Sequence, residues 1–369
     1  MSGHMPQPGK TILVEGGGRI PFIPPITHRI EETMARRKTI TIKEVARMAG
    51  VSVTTVSNYL NGQMARMSAD TREKVGKVIE DLHYQPSSAA QSMRSNSTKI
   101  IGVIVGDISN IFSSMLFGGI QKVIKPRNYS LMLLSTGNDP ADENLCINKL
   151  IRQNVDGLII QPTQDDPEAF YPIVNAHTPL VIVDGIVKAT PKNAAHVISD
   201  NTPSSKAMCR ELHERGYRRI VTVSETTAPT SSQLPRLEAV RHCTAKLGME
   251  HVMLDVRGHD DAWLAERLRE NAGPDAPRTA VFPLMGPLLF RTLTALQAAG
   301  LEFPGDLGLV SFDDWNWGRF IGGGVDLLQR DIDEIGRLAG ESILQIIEQG
   351  HPEQTEISVP TRRIAGHSL

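Results

Sequence analysis

The sequence predicts an α/β protein with a small all-α head near its N-terminus and a larger α/β body in two lobes. Three observations predict it. Beyond Lys99, short β-branched runs alternate with ten to fifteen residues of helical spacing, which is the signature of parallel sheets. The runs are "IIGVIVG", "SLMLLST", "GLIIQP", "LVIVDG", "RIVTVS", "VMLDV", "AVFPL" and "LGLVSFDD", and eight strands exceed what one compact sheet usually holds. Second, "TIKEVARMAGVSVTTVSNYLNG" (Thr41–Gly62) places two short helical patterns around a single glycine. Third, the net charge of −2 is unevenly spread. Residues 34–98 hold ten Lys/Arg against five Asp/Glu, while the chain from Lys99 onward sums to about −7. A basic head on an acidic body suits a polyanionic partner for the head alone.

In the head, Thr41 and Glu44 have capping-box spacing, and Ile42, Val45, Ala46 and Ala49 form one apolar stripe. Gly50 ends that helix, because glycine enters the left-handed conformation at little cost. Ser52 caps a second helix to about Leu60, with Val56 and Leu60 inward. Ser68 or Asp70 caps a third, with an Asp70–Glu73 box and an inner face of Val75, Val78, Ile79 and Leu82. Two short helices joined tightly and braced by a third make a helix-turn-helix, whose second helix enters the DNA major groove. Val53, Thr54, Ser57 and Asn58 are its outward positions; Thr41 and Thr55 complete the candidate DNA contacts. The alternative is an ordinary three-helix bundle packed on a neighbour.

After Pro86, "SSAAQSMRSNST" is small and polar and reads as a flexible linker. In the body, open α/β sheets bind ligands beyond the C-terminal ends of their strands. That rule selects Asp107, Ser109, Asn110 and Phe112 after the first strand, Asp184 after the fourth, and Asp313, Asp314 and Trp315 after "LVSF".

The segments "TIKEVARMAGVSVTTVSNYLNG", "TREKVGKVIEDLHYQPSSAAQSMRS", "IGVIVGDISNIF" and "LVSFDD" fall in order along nearly the whole chain from Thr39. In this they closely resemble the lactose-repressor (LacI/GalR) family of bacterial transcription regulators. The resemblance implies a body like the periplasmic sugar-binding proteins: two doubly wound lobes, three crossovers and a ligand cleft between them. It implies a hinge that folds on operator DNA, with Met93 as the apolar wedge in the minor groove and Arg94 on a phosphate. By the same match, Arg236 in "RLEAVRHCTAKLG" and Gln329 in "DLLQR" face the cleft with Asn110, Phe112, Asp184, Asp313 and Trp315. Three departures stand out. Met285-Gly286 replaces a frequent Asn-Asp pair, Asn110-Ile111-Phe112-Ser113 replaces Asn-Pro-Phe-Phe, and Asn58 replaces a common Arg. The Trp315 and Trp317 pair in "FDDWNWGRF" resembles family branches that sense sugar acids such as ketodeoxygluconate.

The organisation expected is a disordered tail over 1–38, the DNA-binding head over 39–86, a hinge over 87–98 and an effector-binding, dimer-forming body over 99–369. The partners expected are double-stranded operator DNA, a small carbohydrate-derived effector and a second copy of the chain, without a membrane. "TRRIAGHSL" at the C-terminus lacks an apolar heptad, so a dimer is expected rather than a zipper-linked tetramer. No apolar run is long enough to span a bilayer, and no secretory leader is visible, so the cytoplasm is the expected location. Cys146, Cys209 and Cys243 are too widely spaced for a disulfide framework or a zinc pair, and no metal or cofactor is implied. Two rival readings share the scaffold. A solute-binding protein would need export, and a sugar-processing enzyme would need a nucleophile elbow, HExxH or phosphate loop, none of which is present.

Overall fold

The computed structural model describes residues 12–13, 19–20, 40–85, 97–225, 230–273, 275–313 and 317–369. The chain forms two compact units, one ending at Ala90 and one beginning at Gln91. In the N-terminal tail, Ile12–Leu13 pairs antiparallel with Arg19–Ile20.

The head is three helices: α1 (Ile42–Ala49), α2 (Val53–Leu60) and α3 (Ala69–Asp81). Thr41 and Glu44 close the expected capping box, Thr41 N–H donating to Glu44 Oε2 at 2.8 Å. Gly50 ends α1 at φ +66°. Ser52 caps α2 through Thr55 N–H at 3.1 Å. Ser68, not Asp70, caps α3; Asp70 already lies inside the helix and pairs with Lys74 at 2.8 Å, so the expected Asp70–Glu73 box does not form. Val45, Ala46, Val56 and Val75 make the core of this unit. The Tyr59 ring of α2 lies against Gly76 of α3, where a Cβ would meet the Tyr59 hydroxyl at 2.5 Å.

The body runs β1 (Ile100–Val105), α4 (Ile111–Ile124), β2 (Ser130–Ser135), α5 (Pro140–Arg152), β3 (Gly157–Ile160), α6 (Tyr171–Asn175), β4 (Leu180–Val183) and β5 (Ala195–Ser199). It continues through α7 (Asn201–Glu214), β6 (Arg219–Ser224), α8 (Gln233–Leu247), β7 (Glu250–Asp255), α9 (Asp261–Asn271) and β8 (Thr279–Pro283). Then follow α10 (Gly286–Ala299), β9 (Gly308–Phe312), β10 (Asp326–Gln329), α11 (Ile332–Gln349), β11 (Glu356–Val359) and β12 (Arg362–Ile364).

Two six-stranded sheets result. The first lobe is ordered β2-β1-β3-β4-β5-β11, all parallel, and the second β7-β6-β8-β9-β10-β12, with only β12 antiparallel. Strands β1, β3 and β4 read as nearly continuous apolar runs because helices cover both faces of their sheet. The chain changes lobe three times: after β5, after β10 and between β11 and β12. Carboxylates lace these crossovers together. Asp200 accepts from Thr361 N–H at 2.7 Å, and Arg362 donates to Asp331 at 2.9 Å.

In the first lobe, α4 and α11 cross at two glycines. A Cβ on Gly119 would stand 3.0 Å from the Gly336 Cα and closer still to the Asp333 carbonyl oxygen. That approach locks the C-terminal helix onto the helix that follows β1.

Burial lowers the pKa of both His196 on β5 and His251 on β7. His196 Nε2 meets the Gly185 carbonyl at 2.8 Å, and His251 Nε2 meets the Thr222 hydroxyl at 3.0 Å. Below the ordinary value of 6.5 the unfolded chain takes up protons that the folded one refuses, so stability falls as pH falls through this window. Urea midpoints measured at about pH 7 and about pH 5.5 are expected to differ less in a His196→Gln, His251→Gln variant. An unchanged difference would assign the acid lability wholly to carboxylates.

Candidate functional site

In the head, the structure separates the candidate DNA contacts. Thr54 is exposed on the first turn of α2, and Ser57 and Asn58 are half-buried further along that helix. Val53 corrects the expectation: it packs against the head core instead of facing outward. Thr55 is turned into the cap, its hydroxyl 2.9 Å from that of Ser52, and the Thr41 hydroxyl is held by Glu44. Met93 and Arg94 lie outside the described residues.

The body holds a cavity of about 580 Å³ between its lobes, at the C-terminal ends of the strands of both sheets. Both sheets reverse order at the same relative place, between β1 and β3 and between β6 and β8. The loops after those strands supply the wall: Gly106 and Asp107, Gln161 to Thr163, Glu225 and Met285. Asn110, Asn138, Gln233 and several Ser and Thr hydroxyls complete it, and Phe290 adds one aromatic face.

Much of this wall is fixed by its own hydrogen bonds. Asp107 accepts from the Ser109 amide and hydroxyl at 2.8 and 2.7 Å. Asn110 Oδ1 caps α4 through Phe112 N–H at 3.0 Å. Gln233 bridges both backbone groups of Glu225, accepting at 3.0 Å and donating at 2.9 Å. Beneath β3, the fully buried Glu143 carboxylate accepts from the Thr163 amide and hydroxyl and so sets the height of that loop.

Of the expected effector residues, Asn110 and Asp184 line the cavity. Phe112, Arg236, Asp313 and Gln329 do not; the first three are sealed in the protein beside it. Arg236 has no exposed surface. Its Nε donates to Asn201 Oδ1 at 2.8 Å, Nη1 donates to the Leu284 carbonyl, and the guanidinium lies 4.1 Å over the Phe312 ring. Among the described residues its Nη2 has no hydrogen-bond partner. Burial, then the nearby charge of Arg330, pulls its pKa down to about 9, so the group stays cationic near neutrality.

Gln329 was one position out of register. As the last residue of β10 it pairs with Arg362 of β12, and the next residue, Arg330, turns into the space between the lobes. Arg330 binds Asp313 through Nε and Nη2 at 2.8 and 2.7 Å, and Asp184 through Nη1 at 2.9 and 2.8 Å. Its guanidinium is 5.0 Å from the Phe112 ring. Burial opposes this charge, but Asp184 and Asp313 outweigh it and raise the pKa of Arg330. Both aspartates occupy left-handed backbone, at φ +53° and +52°, a conformation that Asp tolerates better than most residues and that gathers at working sites. The sequence offered one signal for Arg330, its place beside Gln329 in "DLLQR". Trp315 and Asp314 lie outside the described residues.

The description "Bacterial regulatory proteins, lacI family" matches residues 41–87, and "Periplasmic binding protein-like domain" matches residues 209–369. The transcriptional regulator KdgR of Bacillus subtilis is 30% identical over 325 residues, covering 86% of this chain and 94% of KdgR. The chain belongs to the LacI family. PtxS of Pseudomonas putida, another transcriptional regulator, is 32% identical over 311 residues, 84% of this chain and 89% of PtxS. Among solved structures, the lac repressor dimer bound to operator and an anti-inducer superposes with a TM-score of 0.77 at 21% identity. That match covers 90% of this chain and 99% of the repressor, and it fixes the LacI fold across head and body. The chain is thus a DNA-binding transcription regulator of this family. Among the described residues, no helix is long and apolar enough to cross a membrane, and no cluster of His, Cys, Asp or Glu suits a metal ion.

Proposed function

We propose that this LacI-family chain is a homodimeric repressor of carbohydrate-metabolism genes whose hold on operator DNA is set by a small carbohydrate-derived effector in the inter-lobe cavity. The observation that carries this reading is the cavity itself, placed at the order reversals of both sheets and walled mainly by amides and hydroxyls. Such groups exchange hydrogen bonds with sugar hydroxyls. The lining holds Asp107, Asp184 and Glu225 and, among the described residues, no Lys or Arg, so the hydroxyl donors of a neutral sugar suit this wall better than an acid or a phosphate. One solved relative, CelR, is described in complex with cellobiose and another with bound ribose, which supports the carbohydrate class.

Calorimetric titration with hexoses, uronates, ketodeoxy acids and sugar phosphates tests the effector class. Wild type is expected to bind at least one hydroxyl-rich sugar, and Asn138→Ala, which removes one lining amide, to lose affinity for it by about fivefold. Binding of a purine or amino acid with every sugar derivative failing would overturn the assignment.

On the DNA side, Thr54→Ala and Asn58→Ala are expected to weaken operator binding by about 1–3 kcal/mol while leaving random-DNA binding nearly unchanged. Equal losses on both DNAs would mean that these side chains touch only the backbone. Met93→Gly is expected to weaken operator binding without changing effector affinity, the result for an apolar wedge at a base step.

A further inference from the structure

The three crossovers form a laced edge, with Asp200 holding Thr361 and Asp331 holding Arg362. The lobes can therefore turn about that edge, and links on the cavity side decide how far. Two such polar links are present among the described residues: Ile186 N–H to the Thr230 carbonyl at 3.0 Å, and Arg330 to Asp184. The second is by far the stronger, being charge-assisted, with Arg330 Nη1 shared between both Asp184 oxygens, and almost wholly out of water. It also spans the boundary: Asp184 follows β4 of the first lobe, while Asp313 and Arg330 follow β9 and β10 of the second.

We propose that Arg330 is the positioning residue of the effector response, a latch that ties Asp184 to Asp313 and holds the lobes in the arrangement seen here. The regulatory part of this inference rests on the reading that the cavity takes an effector. A buried ion pair is finely balanced, since the attraction between its members offsets a desolvation cost of similar size. A ligand hydroxyl or acid that takes one partner from Arg330 therefore shifts the lobes at small net cost. Such a ligand acts through its differential affinity for the two arrangements. The latch also explains why two non-glycine residues keep left-handed backbone at matching places on the two lobes: each aims its carboxylate at the same guanidinium.

The test uses the full-length chain without ligand. Nitroxide labels are placed on cysteines introduced at exposed Leu145 in the first lobe and Met253 in the second, with Cys146 replaced by Ser. Labelled protein is diluted with unlabelled protein, so that distances are read within one chain by pulsed electron resonance. Wild type is expected to give one dominant distance. Arg330→Gln and Asp184→Asn should move most of the population to a second distance, and Arg330→Lys, which keeps the charge but loses the fork, should fall between. An unchanged distribution in folded Asp184→Asn overturns the latch, as does an Arg330→Lys variant no closer to wild type than Arg330→Gln. If Arg330→Gln does not fold, the Asp184→Asn and Arg330→Lys distances decide alone. The readout needs no ligand, so failure of every sugar in calorimetry would sink the effector reading and leave the distance result standing.

Discussion

Arg330→Met is expected to destabilise the body by about 3–5 kcal/mol, because it strands two carboxylates that have almost no access to water. Asp184 and Asp313 side chains are each 4% exposed, and the guanidinium between them 6%. Three hydrogen bonds and an Nη2 ion pair from its side chain, and one hydrogen bond from its backbone amide to Asp313, are involved, so no single neighbour can replace it. Arg236 does not substitute, because Asn201 and Leu284 already hold its Nε and Nη1. The loss should be non-additive. Combining Arg330→Met with Asp184→Asn and Asp313→Asn removes all three charges, and most of the stability should return. Denaturant titration of the single and triple variants checks this. A triple variant less stable than Arg330→Met would mean that the aspartates matter for reasons other than this guanidinium.

Gly336→Ala is expected to cost about 1–3 kcal/mol, with Gly119→Ala close to it. Both glycines are buried where α4 meets α11, and an added methyl at Gly336 would stand 3.0 Å from the Gly119 Cα and nearer still to the Leu116 carbonyl. Those obstacles are backbone, which cannot rotate aside as a side chain does, so the helices must separate. Separation would disturb Ile332, Ile335, Ala339 and Ile343 of α11, which fill the core of the first lobe. Thermal unfolding should fall by several degrees, at about 2–4 °C per kcal/mol for a body of this size. Gly118→Ala, on the same helix but facing open space, is the control and should leave the midpoint unchanged or slightly raised. Equal effects at Gly118 and Gly119 would show that helix propensity, not the crossing, governs the position.

The legible parts of this protein were those set by local pattern. The capping box at Thr41, the turn at Gly50 and the eight apolar runs each combine a spacing rule with a matching residue type, and all appear where expected. Strands β5, β10, β11 and β12 were not legible. They are three to five residues long, carry polar residues such as His196, Asp326, Glu356 or Arg363, and are defined by distant partners at the lobe crossovers. Asp70 misled because its spacing to Glu73 copies a box that Ser68 pre-empts two residues earlier. Val53 misled because its apolar side chain, at the first position of α2, packs partly on the head core. Arg330 was missed for a different reason. Its role depends on two aspartates at separations of 146 and 17 residues, a meeting that only the fold arranges.

The central claim is that this chain reads a particular DNA sequence and that the cavity controls the reading. Fluorescence anisotropy on DNA from immediately upstream of its own gene tests it most directly, with random DNA of equal length as the reference and the salt concentration held fixed. The prediction is binding at least about 10³-fold tighter to one near-palindromic site than to random DNA, changed by a ligand that calorimetry places in the cavity and insensitive to that ligand on random DNA. Equal affinity for both DNAs, or operator affinity that no cavity ligand alters, would contradict it.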